Sequence, residues 1–226
     1  MEVGLLFSMN GILALNKPSG MCSQGPMNSK IPELWELLQT RYPEGHIAHR
    51  IDKFTSGINL VGTSKDKICY LTKNWHQITK KTYLAIINNP TWAEITINAP
   101  IDGKSAVTSF AIIESFGSFS LVRCELIQNG RTHQIRRHLK SIGSPIVGDT
   151  KYKGPETEAR AGQLLHAWRL ELRLPNEFGT PGQWITVQAP IPEDFKQFNF
   201  NWDYWDAGKN DSLENWTVPN NWIRST

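Results

Sequence analysis

No stretch of this chain reaches the ~20 consecutive apolar residues that a membrane-spanning helix requires. Its first ten residues, MEVGLLFSMN, have neither a basic lead nor an apolar run long enough for a secretory signal. Cysteine is scarce: Cys22, Cys69 and Cys124 are odd in number, far apart and without a CxxC pair. A disulfide framework and a thiolate zinc site therefore have no support. Buried free thiols in a reducing compartment are the expectation, and the protein reads as soluble and cytoplasmic, with no membrane partner. Histidine pairs exist, His46 with His49 and His133 with His138, but neither has the i, i+4 spacing of a helical metal pair or an acidic third ligand nearby. No metal is expected. Low-complexity tracts and internal repeats are lacking too.

What is present is an ordinary globular composition, 39% hydrophobic and 20% charged over 226 residues. That is enough for one sizeable core or two small ones, with one globular unit as the simplest expectation. The net charge of +3 names no partner by itself, but its distribution is uneven. Residues 196–226 hold three Lys/Arg against four Asp/Glu, so residues 1–195 carry a net +4. Arg123, Arg131, Arg136, Arg137, Lys140, Lys151 and Lys153 fall within about 30 residues containing few acids. Alone, such a run is a solvated helix face; beside a catalytic pattern it is a candidate phosphate track.

Gly11–Asn16 reads as a strand entering the Lys17-Pro18-Ser19-Gly20 turn. Pro32 followed by Leu34, Leu37 and Leu38 predicts a helix with proline in its first turn. A second helix is expected to start after Ser64 as N-cap, with Ile68, Leu71 and Trp75 on one face. Residues 82–87, 93–99, 106–114 and 119–127 are rich in β-branched and aromatic residues and are divided by turn signals, which predicts successive strands. Thr132–Ile142 has helical periodicity, with Thr132 as N-cap, Ile135, Leu139 and Ile142 as the buried stripe, and the basic residues pointing away from the core. Residues 164–174 alternate as a half-exposed strand, with 184–189 as hairpin partner. The fold class expected is α+β, a mainly antiparallel mixed β-sheet flanked by helices. After Pro192 the aromatics Phe195, Phe198, Phe200, Trp202, Tyr204, Trp205, Trp216 and Trp222 have no period. The division expected is a catalytic domain over 1–195 and an aromatic tail over 196–226 that packs on it.

Three strings carry chemistry: HRIDKFTSG at 49–57, KTYLA at 81–85 and NGRTHQIRRHL at 129–139. Asp52 stands before a Thr-Ser-Gly turn, an arrangement that by itself is more often a cap than a catalyst. Tyr83, on a strand, is by itself more often a core-edge residue. Together the three strings resemble the signature motifs of the RluA family of pseudouridine synthases over roughly residues 10–195, with Ile51 in place of a leucine.

The resemblance implies isomerisation of uridine to pseudouridine in RNA, without a cofactor. In this chemistry the C1′–N1 bond breaks, the uracil turns, and C5 joins C1′. A carboxylate can serve by attacking C1′, by stabilising positive character there or by removing a sugar proton, and the routes stay open. By resemblance Asp52 is the essential carboxylate, Arg136 its cationic partner, and Tyr83 the ring stacked on the target base. Arg50 lies beside the flipped nucleotide, Thr55 belongs to the same motif at the substrate, and Leu165, with Leu164 as rival, walls the base. Arg131, Arg137 and Lys140 suit phosphates. Lys17 and Pro18 match a structural NKP string.

Two departures bear on the substrate. The family commonly carries a small basic S4 domain ahead of the catalytic one, whereas here the pattern begins by about Gly11. The segment between Pro100 and Val107 is also shorter than the family's insertion. A compact tRNA stem-loop or a short rRNA hairpin fits this reduced surface, and a monomer is expected. The alternatives are a non-catalytic RNA-binding module, against which Asp52, Tyr83 and Arg136 are all present, and a glycoside hydrolase, which usually calls for a second positioned carboxylate.

Overall fold

The computed structural model describes residues 2–25, 33–128, 130–176, 179–206 and, for the backbone alone, 214–217. In chain order the elements are β1 (Glu2–Met9), β2 (Ile12–Lys17), α1 (Leu34–Arg41), β3 (His46–Ile47), β4 (Ser56–Gly62), α2 (Lys65–Ile78), β5 (Thr79–Asn88), β6 (Glu94–Asn98), β7 (Val107–Phe116) and β8 (Phe119–Gln128). They continue with α3 (Gln134–Ser141), a 3-10 turn at Thr150–Tyr152, β9 (Leu165–Pro175), β10 (Pro181–Gln188), α4 (Glu193–Lys196), α5 (Trp202–Asp206) and β11 (Glu214–Thr217). The strand regions inferred from β-branched alternation are all present, and the architecture is α+β. Pro32 and Trp222 lie outside the described residues.

The chain divides into two compact units, each assembled from separate segments: residues 1–79, 169–190 and 209–226, and residues 80–168 and 191–208. In the first unit the strand order is β11-β1-β2-β4-β9, with β3 beside β4 and β10 beside β9. β2 pairs antiparallel with β1 and β4. Both faces of this layer are covered. Leu34, Leu37 and Leu38 of α1 meet Leu13, Leu15 and Val61 on one side. Tyr70, Leu71 and Ile78 of α2 meet Ile12, Ala14, Ile58 and Leu60 on the other. The stripe of α2 is therefore rotated from the one expected, since Ile68 and Trp75 are only half-buried. Ser64 does precede the helix, but its hydroxyl engages Asp66 rather than a backbone N–H.

In the second unit β5, β8, β7 and β6 follow one another as antiparallel neighbours. The first residues of β9 are buried on both faces, Leu165, His166 and Ala167 among them, so the half-exposed pattern holds only from Arg169 onward. The thiols also differ from expectation: Cys124 is buried, Cys22 is half-buried and Cys69 is exposed on α2. Of the aromatic tail, Phe195 and Phe200 are buried. Trp205 meets Trp168 edge-on at 5.9 Å, and Phe198 meets Phe119 at 5.1 Å. No helix among the described residues is long and apolar enough to cross a membrane.

One cluster of polar contacts in the first unit fixes the loop that holds Asp52. Lys17, at the end of β2, is fully buried, and its Nζ donates to the carbonyls of Pro18 (2.9 Å), Met21 (2.7 Å) and Lys53 (3.2 Å). The Gly20 N–H also reaches the Lys53 carbonyl, and the Ser19 hydroxyl reaches that of Phe54. Ser23 accepts the Ile51 N–H at 3.1 Å and donates to the buried Asn59 at 2.7 Å. Asn59 in turn donates to the His49 carbonyl. The loop is thus tied on both sides of Asp52. Removing the buried ammonium with Lys17→Met leaves three carbonyls without their charged donor. A loss of about 3 kcal/mol or more in unfolding free energy is expected in urea titration.

Candidate active site

Asp52 is partly buried in the loop just described. Its carbonyl accepts the Thr55 N–H at 3.0 Å, closing a tight turn, and Thr55 itself is buried. Thr55 thus sits beneath the carboxylate loop, while Arg50, two residues before Asp52, is exposed. His49 accepts the Leu60 N–H at 3.1 Å through Nε2 and lies against the Trp75 ring at 4.7 Å. It is a hydrogen-bonding support.

The remaining motif residues lie in the second unit. Tyr83 is on β5 opposite Cys124 of β8 and is only 8% exposed. Lys81 lies two residues earlier, on the same side of the strand as Tyr83. A Cβ added to Gly130 would stand 3.4 Å from Lys81 Nζ, so the glycine of the NGR string lets the ammonium approach the backbone. This contact joins the second and third motifs. Withdrawal from water lowers the Lys81 ammonium to a pKa of about 8.

α3 starts at Gln134, one residue later than a Thr132 N-cap predicts. Its N-cap is His133, in the left-handed region at φ 56°, and Thr132 makes no cap. The cause is local: Gln134 Oε1 turns back to accept the Arg131 N–H at 2.9 Å, and the Gln134 N–H bonds to the Arg131 carbonyl at 2.9 Å. The expectation that the helix's basic residues all leave the core is corrected here. His138 is buried between Thr108 and the Ala99 carbonyl, and Arg136 is buried as well.

Arg136 meets a partner that the motifs had not indicated. Its Nε donates to Asp149 Oδ2 at 2.7 Å and its Nη2 to Asp149 Oδ1 at 2.8 Å, with Asp149 1% exposed. Asp149 also accepts the Tyr152 N–H, and the Tyr152 ring lies 5.0 Å from the guanidinium carbon. The Tyr152 hydroxyl bonds in turn to His133 Nδ1 at 2.9 Å. The guanidinium is held at one edge and over one face, and Asp149 takes two of its five N–H donors. In sequence Gly148-Asp149 resembles a plain turn; the available signal was Tyr152 three residues on, within the basic stretch.

Leu164 and Leu165 are both buried. Leu164 bonds through its backbone to Ile86 and Val147. The Leu165 carbonyl is held by Arg160, whose guanidinium also meets Asp194 at 3.1 Å and the Phe195 ring at 5.2 Å. The residues assigned to phosphate, Arg131, Arg137 and Lys140, are half-buried, half-buried and exposed. Among the described residues no group of three His, Cys, Asp or Glu could hold a metal ion.

A family model described as RNA pseudouridylate synthase matches residues 11–141, a span that includes Asp52, Tyr83 and Arg136. The chain belongs to this family. The synthase is 33% identical over 225 residues to YlyB, an uncharacterized RNA pseudouridine synthase of Bacillus subtilis, covering 87% of this chain and 72% of that protein. It is 30% identical over 206 residues to the dual-specificity RNA pseudouridine synthase RluA of Escherichia coli, covering 82% of this chain and 92% of the relative. Some other curated relatives are longer, and the synthase spans 62% or 63% of their length. In fold, human RNA pseudouridylate synthase domain containing 4 superposes with a TM-score of 0.69 at 22% identity, over 85% of this chain and 90% of that one.

Two measurements follow from this geometry. Asp149→Ala strands a buried guanidinium, and unfolding free energy is expected to fall by about 3–5 kcal/mol in denaturant titration. For Lys81 the folded pKa lies below the unfolded one. Between about pH 8 and the ordinary lysine range the unfolded chain binds the extra proton, so this group makes stability rise with pH. Lys81→Met is expected to flatten that rise when urea midpoints at pH 8 and pH 10 are compared.

Proposed function

We propose that the synthase isomerises uridine to pseudouridine in structured RNA, tRNA or rRNA, with Asp52 as the catalytic carboxylate. The observation that carries this reading is the fixation of the Asp52 loop by Lys17, Ser19, Ser23 and Asn59 within the family-matched span. Nothing in ordinary turn chemistry calls for four side chains to hold one surface loop, whereas a carboxylate that must meet a ribose C1′ needs a fixed origin.

In the reaction the C1′–N1 bond breaks, the uracil turns within the pocket, and C5 bonds to C1′. N1 gains a proton and C5 loses one, so the product is an isomer and no redox partner enters. Asp52 acts on the sugar, either at C1′ or on a sugar proton. Arg136, by its place in the third motif, is the cationic partner of Asp52 in this reading. Tyr83 stacks on the base and takes the C5 proton. Arg50 fills the space left when the nucleotide flips, and the aromatic contact offsets part of the few kcal/mol that unstacking costs. Leu165 walls the base, Thr55 supports the carboxylate turn, and Arg131, Arg137 and Lys140 bind phosphates.

The choice of tRNA or rRNA stays with the reading above; the E. coli relative, matched over 92% of its length, is named as a dual-specificity RNA pseudouridine synthase. The synthase works as a monomer in the cytoplasm, without cofactor or metal, its catalytic domain at residues 1–195 and its aromatic tail at 196–226. The expected outcome is that Asp52→Asn folds normally and loses at least about a thousandfold in turnover. Pseudouridine mapping of tRNA and rRNA from cells lacking the gene, complemented with wild type or Asp52→Asn, identifies the site. Substantial turnover by the folded variant would overturn the assignment.

A further inference from the structure

Residues 101–104, Ile-Asp-Gly-Lys, form a two-residue hairpin turn in which both central residues have positive φ, 50° at Asp102 and 71° at Gly103. Ile101 and Lys104 exchange both backbone hydrogen bonds, at 2.9 and 3.0 Å. Such a turn is stiff, and aspartate is one of the few side chains that tolerates its first position. The side chain it presents is 73% exposed, and a Cβ at Gly103 would meet nothing within 4 Å. The tip of the turn therefore stands in solvent.

The anchor of this turn is ionic. Arg137 of α3 donates from Nη1 to Asp102 Oδ2 at 2.8 Å and from Nη2 to Asp102 Oδ1 at 3.0 Å. The two hydrogen bonds also hold the Asp102 carboxyl below its ordinary range. A second arginine reaches the same segment: Arg131 Nε donates to the Ser105 carbonyl at 3.3 Å. Across residues 99–105 and 130–142, Asp102 is the sole acid, set among Lys104, Arg131, Arg137 and Lys140. Arg137 is also the one arginine of α3 that the buried Asp149 network does not engage, as it follows Arg136 and faces outward.

We infer that the Arg137 fork is an exchangeable phosphate site, in which Asp102 occupies the position of an RNA backbone phosphate until RNA displaces it. Carboxylate and phosphate compete for the same paired N–H donors. An exposed ion pair is cheap to open, because water already screens it and both side chains regain freedom. Displacement frees the turn's own negative charge to repel the incoming strand, so the site discriminates. RNA that places a phosphate at Arg137 while making its other contacts is retained, and RNA that makes only this contact is not. The inference rests on the phosphate role proposed above for Arg137, and it concerns affinity rather than the chemical step.

The test is a double-mutant cycle on binding of a 17-nucleotide uridine-containing RNA stem-loop, followed by fluorescence anisotropy across a KCl series. Asp102→Asn keeps the left-handed turn, since asparagine suits that position equally. It is expected to tighten binding by about 3- to 10-fold and to steepen the salt dependence by about one counterion. Arg137→Gln is expected to weaken binding, and adding Asp102→Asn to it is expected to give a smaller gain than in the wild type, because only the repulsion by the carboxylate remains to be relieved. An equal gain from Asp102→Asn in both backgrounds would show a general charge effect and overturn the exchange, as would no gain in the wild-type background. Binding is read apart from turnover. An active Asp52→Asn protein would therefore overturn the catalytic assignment and leave the binding result at Arg137 unaffected. Failure of every variant, wild type included, to bind the stem-loop would overturn the phosphate site itself.

Discussion

A fully buried ammonium needs every one of its protons engaged, and in the first unit that need organises the chain. Lys17 has three donors and finds three backbone carbonyls, two from its own turn and one from Lys53, 36 residues away. Because the buried ammonium must be satisfied, the turn after β2 and the loop after Ile51 are held together. The neighbouring contacts from Ser19, Gly20 and Ser23 act along the same seam. Direct packing around Asp52 would have been a looser solution, because apolar contacts have no preferred direction. Hydrogen bonds do, and they fix the path of the backbone on either side of the carboxylate.

The second unit solves a related problem with a charged partner. Arg136 is the buried cation there, and its partner is a side chain that also caps the 3-10 turn by accepting the Tyr152 N–H. Such pairs do little for net stability compared with a well-packed apolar pair, but they fix geometry. The planar fork permits one arrangement of Asp149, and the Tyr152 ring restricts the remaining rotation. His133 completes the set through the Tyr152 hydroxyl. Its left-handed backbone, which delays the start of α3, is thus bound up with how the arginine is held.

These same features mark the boundary of what sequence alone discloses. The strands β5 to β8 were legible because alternation and turn residues are local properties, and Leu34, Leu37 and Leu38 announced α1 for the same reason. The motif strings located Asp52, Tyr83 and Arg136. What escaped notice depends on remote partners: nothing near Lys17 says that its ammonium is buried, and Gly148-Asp149 has the composition of any turn. The first residue of α3 is not legible locally, because Thr132 is a good cap in isolation while the Gln134 side chain takes the Arg131 N–H. Trp75 and Ile68 fit the helical period as well as Tyr70 and Ile78 do, and only the position of β4 selects between them. Cys69 was expected inside with the other thiols, yet α2 turns it outward.

The pairing of β1 with β11 has a consequence for how the chain is made. Glu2 lies opposite Thr217, so β1 is synthesised long before the strand that covers its second edge. β2 reaches β1 almost at once through a short hairpin, whereas the other edge of β1 waits for more than two hundred further residues of synthesis. During that interval its N–H and C=O groups offer a template for foreign strands. The first unit can therefore close fully only once β11 has been made, and the rate of elongation between the two strands sets how long that edge stays open to aggregation.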